Sequence, residues 1–218
     1  MHIEPGFVSA AKVLGANIAA TSLLAFYLKG LVKNPFEIVK ALLAAVFFSV
    51  FMQSFHAPVG PSELHFIGAM SIYMTLGFVP TIFGFAAGLL LQGLVFDPMD
   101  LPHLAVNSLS LILPLVATHH LAGKKLFESG LKARLNWKAI VKLDAVYYAG
   151  VTGMVGFWLL MGEAATPFSA WITFAASYLA IVAVEPFITI LTLKVLKRYE
   201  GSPLAGKLSI IRSLKLEA

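Results

Sequence analysis

The sequence predicts an all-α integral membrane protein with about seven transmembrane helices. Of its 218 residues, 59% are hydrophobic and 12% are charged, whereas a soluble domain averages about 25% charged residues. The apolar residues fall in long runs, and about 20 of them are needed to cross a bilayer as a helix. Helices are expected because every backbone polar group within lipid must be satisfied internally. The chain is therefore expected in the cell (plasma or inner) membrane as a multi-pass protein.

Seven segments are apolar enough to serve as spans, and proline-containing stretches separate most of them. The predicted spans are residues 7–31, 36–55, 62–77, 79–96, 103–122, 139–161 and 168–197. Proline lacks an N–H group and disfavours helical geometry in the residue before it, and it stands in the stretches 33–35, 56–61, 77–80 and 97–102. The single transmembrane domain, residues 1–218, then divides into an N-terminal segment (1–6), a helical bundle (7–197) and a tail (198–218).

Basic residues are distributed unevenly between the two ends of these spans. Fifteen of the 16 Lys and Arg residues flank the first connection, the fifth connection or the C-terminus, and Lys12 is the exception. Because cytoplasmic loops carry the excess of Lys and Arg, seven spans with this alternation place the N-terminus outside and the C-terminal tail in the cytoplasm. His2, His56 and His65 are then expected at the outer face.

The first two residues offer several nitrogen donors to one metal ion. The α-amine of Met1, the backbone nitrogen of His2 and the His2 imidazole would close two small chelate rings in nearly one plane. Tetragonal nitrogen sites of this kind suit Ni(II) or Cu(II), with Co(II) near them in affinity. The alternative is that His2 is an ordinary, poorly ordered terminal residue. A cleaved signal peptide is not expected, because no basic region precedes the first apolar stretch.

Several classes of function are excluded or disfavoured by what the sequence lacks. Without cysteine, disulfides, iron–sulfur clusters and thiolate metal sites are impossible. There is no Gly-x-x-x-x-Gly-Lys-Ser/Thr motif, so the chain is not expected to hydrolyse ATP or to be an enzyme by itself. His-Glu-x-x-His and Gly-x-Ser-x-Gly are also absent, which argues against a membrane protease or esterase. We find no nucleic-acid-binding signature.

Four stretches, in order along the chain, match a known pattern: residues 1–7 (Met-His-Ile-Glu-Pro-Gly-Phe), residues 57–69, Gln92 with residues 105–110, and residues 184–189 (Val-Glu-Pro-Phe-Ile-Thr). Together they resemble the cobalt/nickel substrate-capture components of energy-coupling factor transporters, the CbiM/NikM family. The first stretch is the most specific, and the four span nearly the whole chain.

This resemblance implies a six-helix core preceded by an extra N-terminal helix. It implies that the Met1 amine, the His2 amide and imidazole, and the loop histidine His65 bind the metal, either Co²⁺ or Ni²⁺. It also implies that the ion is a transported substrate rather than a cofactor. The implied partners are a transmembrane coupling subunit and cytoplasmic ATPase subunits.

The chain departs from the family pattern around the loop histidine. His56 stands where the family has Asn, and Pro61, Glu63 and Leu64 stand where glycine is usual. Three interpretations of His56 remain open at this stage: an additional metal ligand, a residue that orients a ligand, or an ordinary helix-end residue.

Three polar residues inside predicted spans also have alternative interpretations. Asn107 and Gln92 either hold His2 or His65 in orientation or form ordinary interhelical hydrogen bonds. Glu185 lies within the last span, where a carboxylate is by default a functional candidate. It either lines an internal path, contacts a partner subunit, pairs with Lys or Asn, or carries a proton.

Two other functions compete with metal capture. A stand-alone secondary transporter or channel would use Glu185, Asn107 and Gln92 as a polar path. A membrane haem protein would use histidine pairs drawn from His56, His65 and His103.

Overall fold

The computed structural model of the chain describes residues 6–59, 62–127, 135–163 and 166–214. Its helices are α1 Ala10–Val32, α2 Pro35–Ser54, α3 Ala69–Leu76, α4 Phe78–Val95, α5 Leu104–Thr118, α6 Lys124–Phe127, α7 Trp137–Leu160, α8 Phe168–Arg198 and α9 Pro203–Leu208. Two short strands, β1 His56–Val59 and β2 Ser62–His65, pair in antiparallel fashion between α2 and α3. Short 3₁₀ turns span Pro98–His103 and Ile211–Ser213, and a π-helical turn spans His119–Gly123.

Within the described residues, six helical segments are long and apolar enough to cross a membrane. Each of these segments begins and ends within three residues of one of the predicted spans. For this comparison, the fifth segment is α5 together with the π-helical turn that follows it, without the 3₁₀ turn that precedes it. The all-α membrane class is therefore confirmed. The basis is the same as in the sequence, since long apolar runs without charge are stable only as helices in lipid.

The predicted third span, residues 62–77, is wrong as a continuous helix. It consists of strand β2, three residues without regular structure and the eight-residue helix α3. Gly68 has φ +64° and lies close to the Phe51 ring, where an added Cβ would be 2.3 Å from a ring carbon. Residues 64–77 are nevertheless all buried. Non-helical backbone is tolerated at membrane depth where protein surrounds it.

The same segment still crosses the bundle from one end to the other. α3 alone is about 12 Å long, too short for a hydrocarbon core of about 30 Å, but the extended residues before it supply the remaining length. At one end, β2 lies beside the last residues of α2 and α4. At the other end, the N–H of Ile210 donates to the Thr75 carbonyl over 2.8 Å. We call these the hairpin end and the tail end.

The start of α1 is fastened at the hairpin end. The N–H of Glu163 donates to the Phe7 carbonyl over 2.8 Å. The Lys12 ammonium group donates to the Met161 carbonyl (2.7 Å) and to the Glu163 carboxylate (3.1 Å). These contacts join the first turn of α1 to the turn that follows α7. The chain therefore enters the bundle at the end where the β-hairpin lies.

α2 and α4 pack against each other along their length, and two glycines of α4 allow the close approach. A Cβ added at Gly84 would lie 2.3 Å from the Cβ of Ala44, and one added at Gly88 would lie 2.4 Å from the Phe48 ring. Glycines at a spacing of four residues let membrane helices approach at backbone distance. This helix pair forms the wall on which the hairpin rests.

Candidate metal site

The strand pairing brings three metal-binding side chains to one face of the β-hairpin. His56 is the direct cross-strand partner of His65, and residues directly opposite each other in an antiparallel pair project to the same side. Glu63 is two residues before His65 on β2, and side chains two apart on a strand share a face. In a helix, the same two residues would point about 200° apart. The strand geometry therefore creates a cluster that a helical span would not.

The donor atoms of His56, Glu63 and His65 all lie within 4.8 Å of one another. His65 Nε2 is 3.2 Å from a Glu63 carboxylate oxygen, and the two imidazole rings are 5.9 Å apart between centroids. Donors around a first-row metal ion with bonds of about 2.0–2.2 Å stand about 3–4 Å apart. The His65–Glu63 distance of 3.2 Å already falls in that range, and no donor of the cluster is more than 4.8 Å from another.

The cluster forms part of the lining of a pocket of about 270 Å³ at the hairpin end. The pocket is lined by Met52, Gln53, His56, Glu63, His65, Gln92, Phe96 and Asp97. His65 is 4% exposed, Glu63 is half-buried and His56 is exposed. Donors therefore extend from the solvent inward, and the two carboxylates favour a cation over an anion.

Comparisons with known proteins concern the family and the fold of the chain. The sequence model of the family described as the cobalt uptake substrate-specific transmembrane region (CbiM) matches residues 2–202.

The chain belongs to the CbiM family. A solved structure described as a transition metal transporter superposes with a TM-score of 0.72 and 19% sequence identity, covering 95% of this chain and 97% of that one. At 19% identity, this similarity shows a shared fold. No protein of curated function matches the sequence significantly. The family resemblance read from the sequence is thus confirmed, and with it the assignment to a membrane component of metal uptake.

For this CbiM-family chain, the predicted ligands Met1 and His2 lie outside the described residues. The structure does show at which end of the bundle the described chain starts. Phe7 accepts a hydrogen bond from Glu163, and Val8 is 5% exposed. The described chain therefore begins at the hairpin end, the same end as His65. The assignment of Met1 and His2 as metal ligands stays a prediction.

Gln92 lies in the pocket wall, but its hydrogen bonds run between helices. Its Oε1 accepts from Gln53 Nε2 over 2.8 Å, and its Nε2 donates to the Ser49 carbonyl over 2.9 Å. Both partners belong to α2. These bonds hold the ends of α2 and α4 together beside the cluster of His56, Glu63 and His65, and they match the interhelical interpretation of Gln92.

Asn107 is buried in the first turns of α5, with 1% of its surface exposed. His103 precedes it by four residues and is 3% exposed. Residues four apart on a helical stretch lie on the same side. A role for Asn107 in orienting a metal ligand remains a prediction.

Sequence reasoning did not assign Glu63 as a candidate ligand. The signal was present as His-x₆-Glu-x-His, with a Pro-Val-Gly-Pro stretch between His56 and Glu63. A hairpin with its turn in that stretch places all three side chains on one face. The apolar residues that follow led to a helical interpretation of residues 62–77, which separates Glu63 from His65.

Proposed function

We propose that this protein captures Co²⁺ or Ni²⁺ at the outer face of the membrane and passes it inward as the metal-binding subunit of an ATP-driven transporter. The observation that carries the proposal is the cluster of His56, Glu63 and His65 at the hairpin end, where the described chain also begins. Membership of the cobalt-uptake family supports the same ion class.

The chemistry of the donors supports a divalent transition metal. His65 is the most buried donor, so its imidazole is held in place by packing while the other donors close around the ion. The Met1 amine and the His2 amide and imidazole would complete a nitrogen-rich set, which suits Ni(II), Co(II) or Cu(II). Glu63 would add one oxygen donor and a negative charge. Because these nitrogens must be unprotonated to bind, metal affinity should fall in acid.

The partners are proposed from what the chain lacks and from where its charges lie. A transporter driven by ATP needs ATPase subunits, and this sequence has no Walker A motif. Lys194, Lys197 and Arg198 lie at the tail end of α8. With the tail end in the cytoplasm, these residues would face a coupling subunit or ATPases.

Metal titration of purified protein with an untagged N-terminus tests the site. We expect His65→Ala to lower the affinity for Ni²⁺ and Co²⁺ by more than the roughly 10–100-fold typical of residues that only orient ligands. His56→Ala should lower it less, because His56 is exposed and free to be replaced by water. His120→Ala is the matched control, because His120 is an exposed residue of the π-helical turn at the tail end.

Unchanged affinity in His65→Ala would exclude the proposed site. A larger loss in His56→Ala than in His65→Ala would point to a different ligand set on the hairpin. Uptake of radioactive metal then tests the partners: accumulation should require coupling and ATPase subunits in the same cell. Robust uptake by the chain alone would favour the secondary-transporter alternative.

A further inference from the structure

Two carboxyl groups face each other in the interior of the bundle, away from the metal site. Asp144 lies on α7 and Glu185 on α8, and both residues are 0% exposed. Each is more than one helical turn from either end of its helix. An ionisable residue at this depth is costly and usually functional, and the proposed capture of metal at the hairpin end uses neither.

Glu185 is surrounded by hydrogen-bond donors. The N–H of Met70 donates to Oε1 over 2.8 Å, and the Tyr148 hydroxyl donates to Oε2. The N–H of Gly68 also contributes a hydrogen bond. Gly68 and Met70 lie at the N-terminus of α3, where the helix dipole favours a negative charge. Both oxygens of Glu185 therefore act as acceptors, as those of an ionised carboxylate do.

Asp144 has the opposite surroundings. Among the described residues, no N–H or O–H group donates to either of its oxygens. They lie close to the carboxyl group of Glu185, which acts on Asp144 electrostatically, and Tyr148, four residues after Asp144 on α7, reaches that same carboxyl group. Two carboxylates this close in the interior would repel each other, and neither has a hydrogen to donate to the other. One of the pair must carry a proton, and Asp144 is the one without other donors.

The other titratable groups around the pair are phenols. Tyr147 and Tyr148 approach from α7, and Tyr178 approaches from α8. From α3, the contacts with Glu185 are made by backbone N–H groups. No Lys, Arg or His of the described residues forms an ion pair or hydrogen bond with Asp144 or Glu185. Two negative charges in contact inside a membrane protein, with no cation beside them, would be strongly unfavourable.

We propose that Asp144 and Glu185 form an intramembrane proton-binding site. One proton is shared between the two carboxyl groups, with Asp144 as the donor and Glu185 as the acceptor. Loss of that proton would leave two adjacent buried anions. Gain of a second proton would neutralise Glu185 and weaken its hold on the N-terminus of α3. The proton count of the site therefore determines how firmly α3, four residues after His65, is fixed to α7 and α8.

A metal cation is a poorer occupant of this site than a proton. Hard cations in proteins are bound by about six or more oxygen ligands, and the oxygens of Glu185 already face N–H and O–H hydrogens. Those hydrogens carry partial positive charge and would repel a cation placed on the same oxygens.

Infrared spectroscopy of the protein in lipid tests the proposal directly. An un-ionised carboxylic acid has a carbonyl stretch that is resolved from the amide bands. We expect such a band at neutral pH, at an intensity of about one group per chain by comparison with a carboxylic acid standard. Asp144→Asn should remove the band. Asp97→Asn is the matched control, because Asp97 is an exposed N-cap residue, and it should leave the band unchanged.

The wild-type protein alone also decides the question if Asp144→Asn does not fold. Aspartate labelled with ¹³C at the side-chain carboxyl should move the band to lower frequency, because the proton is held by Asp144. Absence of the band, its persistence in Asp144→Asn, or its failure to move with labelled aspartate would each overturn the proposal. A bound cation that is lost in Asp144→Asn, with no band present, would replace the proton site by a cation site.

Discussion

Replacing Gly84 by Ala should destabilise the bundle by forcing α2 and α4 apart. The added Cβ would stand 2.3 Å from the Cβ of Ala44, whereas carbon atoms in contact stand about 3.5–4.0 Å apart. The Cβ of Ala44 is fixed to its own backbone and has no rotamer that would move it away. The backbone oxygen of Ala41 would also be close, at 3.2 Å from the new carbon. The two helices must therefore separate locally by more than about 1 Å.

Overpacking of this kind costs about 1–3 kcal/mol. For a chain of this size, each kcal/mol shifts the midpoint of thermal unfolding by about 2–4 °C, so a decrease of several degrees is expected. Gly153→Ala is the matched control, because nothing lies within 4 Å of a Cβ at that position of α7. Removing a glycine from an open position in a helix should stabilise it by about 0.5–1 kcal/mol. The two substitutions have the same chemistry and should act in opposite directions.

Thermal unfolding followed by circular dichroism, with both variants and the wild type in one detergent, measures the effect. An assay with a thiol-reactive dye is unsuitable because the chain has no cysteine to label. The separation should also lengthen the hydrogen bond between Gln53 and Gln92, which is 2.8 Å, and so reduce metal affinity at the pocket above it. An unfolding midpoint for Gly84→Ala at or above that of Gly153→Ala would show that α2 and α4 do not pack as closely as described.

Two further predictions concern the ends of the bundle. Lys12 donates a hydrogen bond to Glu163 and places a positive charge beside it, and both lower the pKa of the Glu163 carboxyl below its ordinary value of 4.5. This ionic clasp between Lys12 and Glu163 therefore stabilises the fold above pH 4.5. Its contribution is lost as the pH falls through the lower pKa of Glu163 in the folded state. Glu163→Gln should therefore reduce the unfolding midpoint at neutral pH, with a difference from wild type that shrinks in acid; a difference that is constant with pH would argue against an ionic clasp. A reporter fused after Ala218 should be active in the cytoplasm, because the basic residues surround that end; an external reporter would contradict the expected orientation and place the hairpin end inside.

Composition and apolar pattern determined the class of this protein and most of its helices. α2 and α8 begin and end within a residue of their predicted spans, because a long uncharged run has one stable form in lipid. The sequence also predicted His65 as a metal ligand and left Glu185 as a functional candidate, and the structure places the first in the hairpin cluster and the second in the bundle interior. These inferences depend on residue type and local order along the chain, which a sequence contains in full.

Tertiary structure decided which side chains lie beside His65 and Glu185. An apolar run enclosed by protein has no lipid-facing side and hence no periodicity that distinguishes a strand from a helix, so the β2 segment was taken for part of a helix. That change of secondary structure is what places Glu63 beside His65. Asp144 and Glu185 are on different helices, and no local pattern links them. Only the packing of α3, α7 and α8 brings the two carboxyl groups together and makes one of them a proton donor.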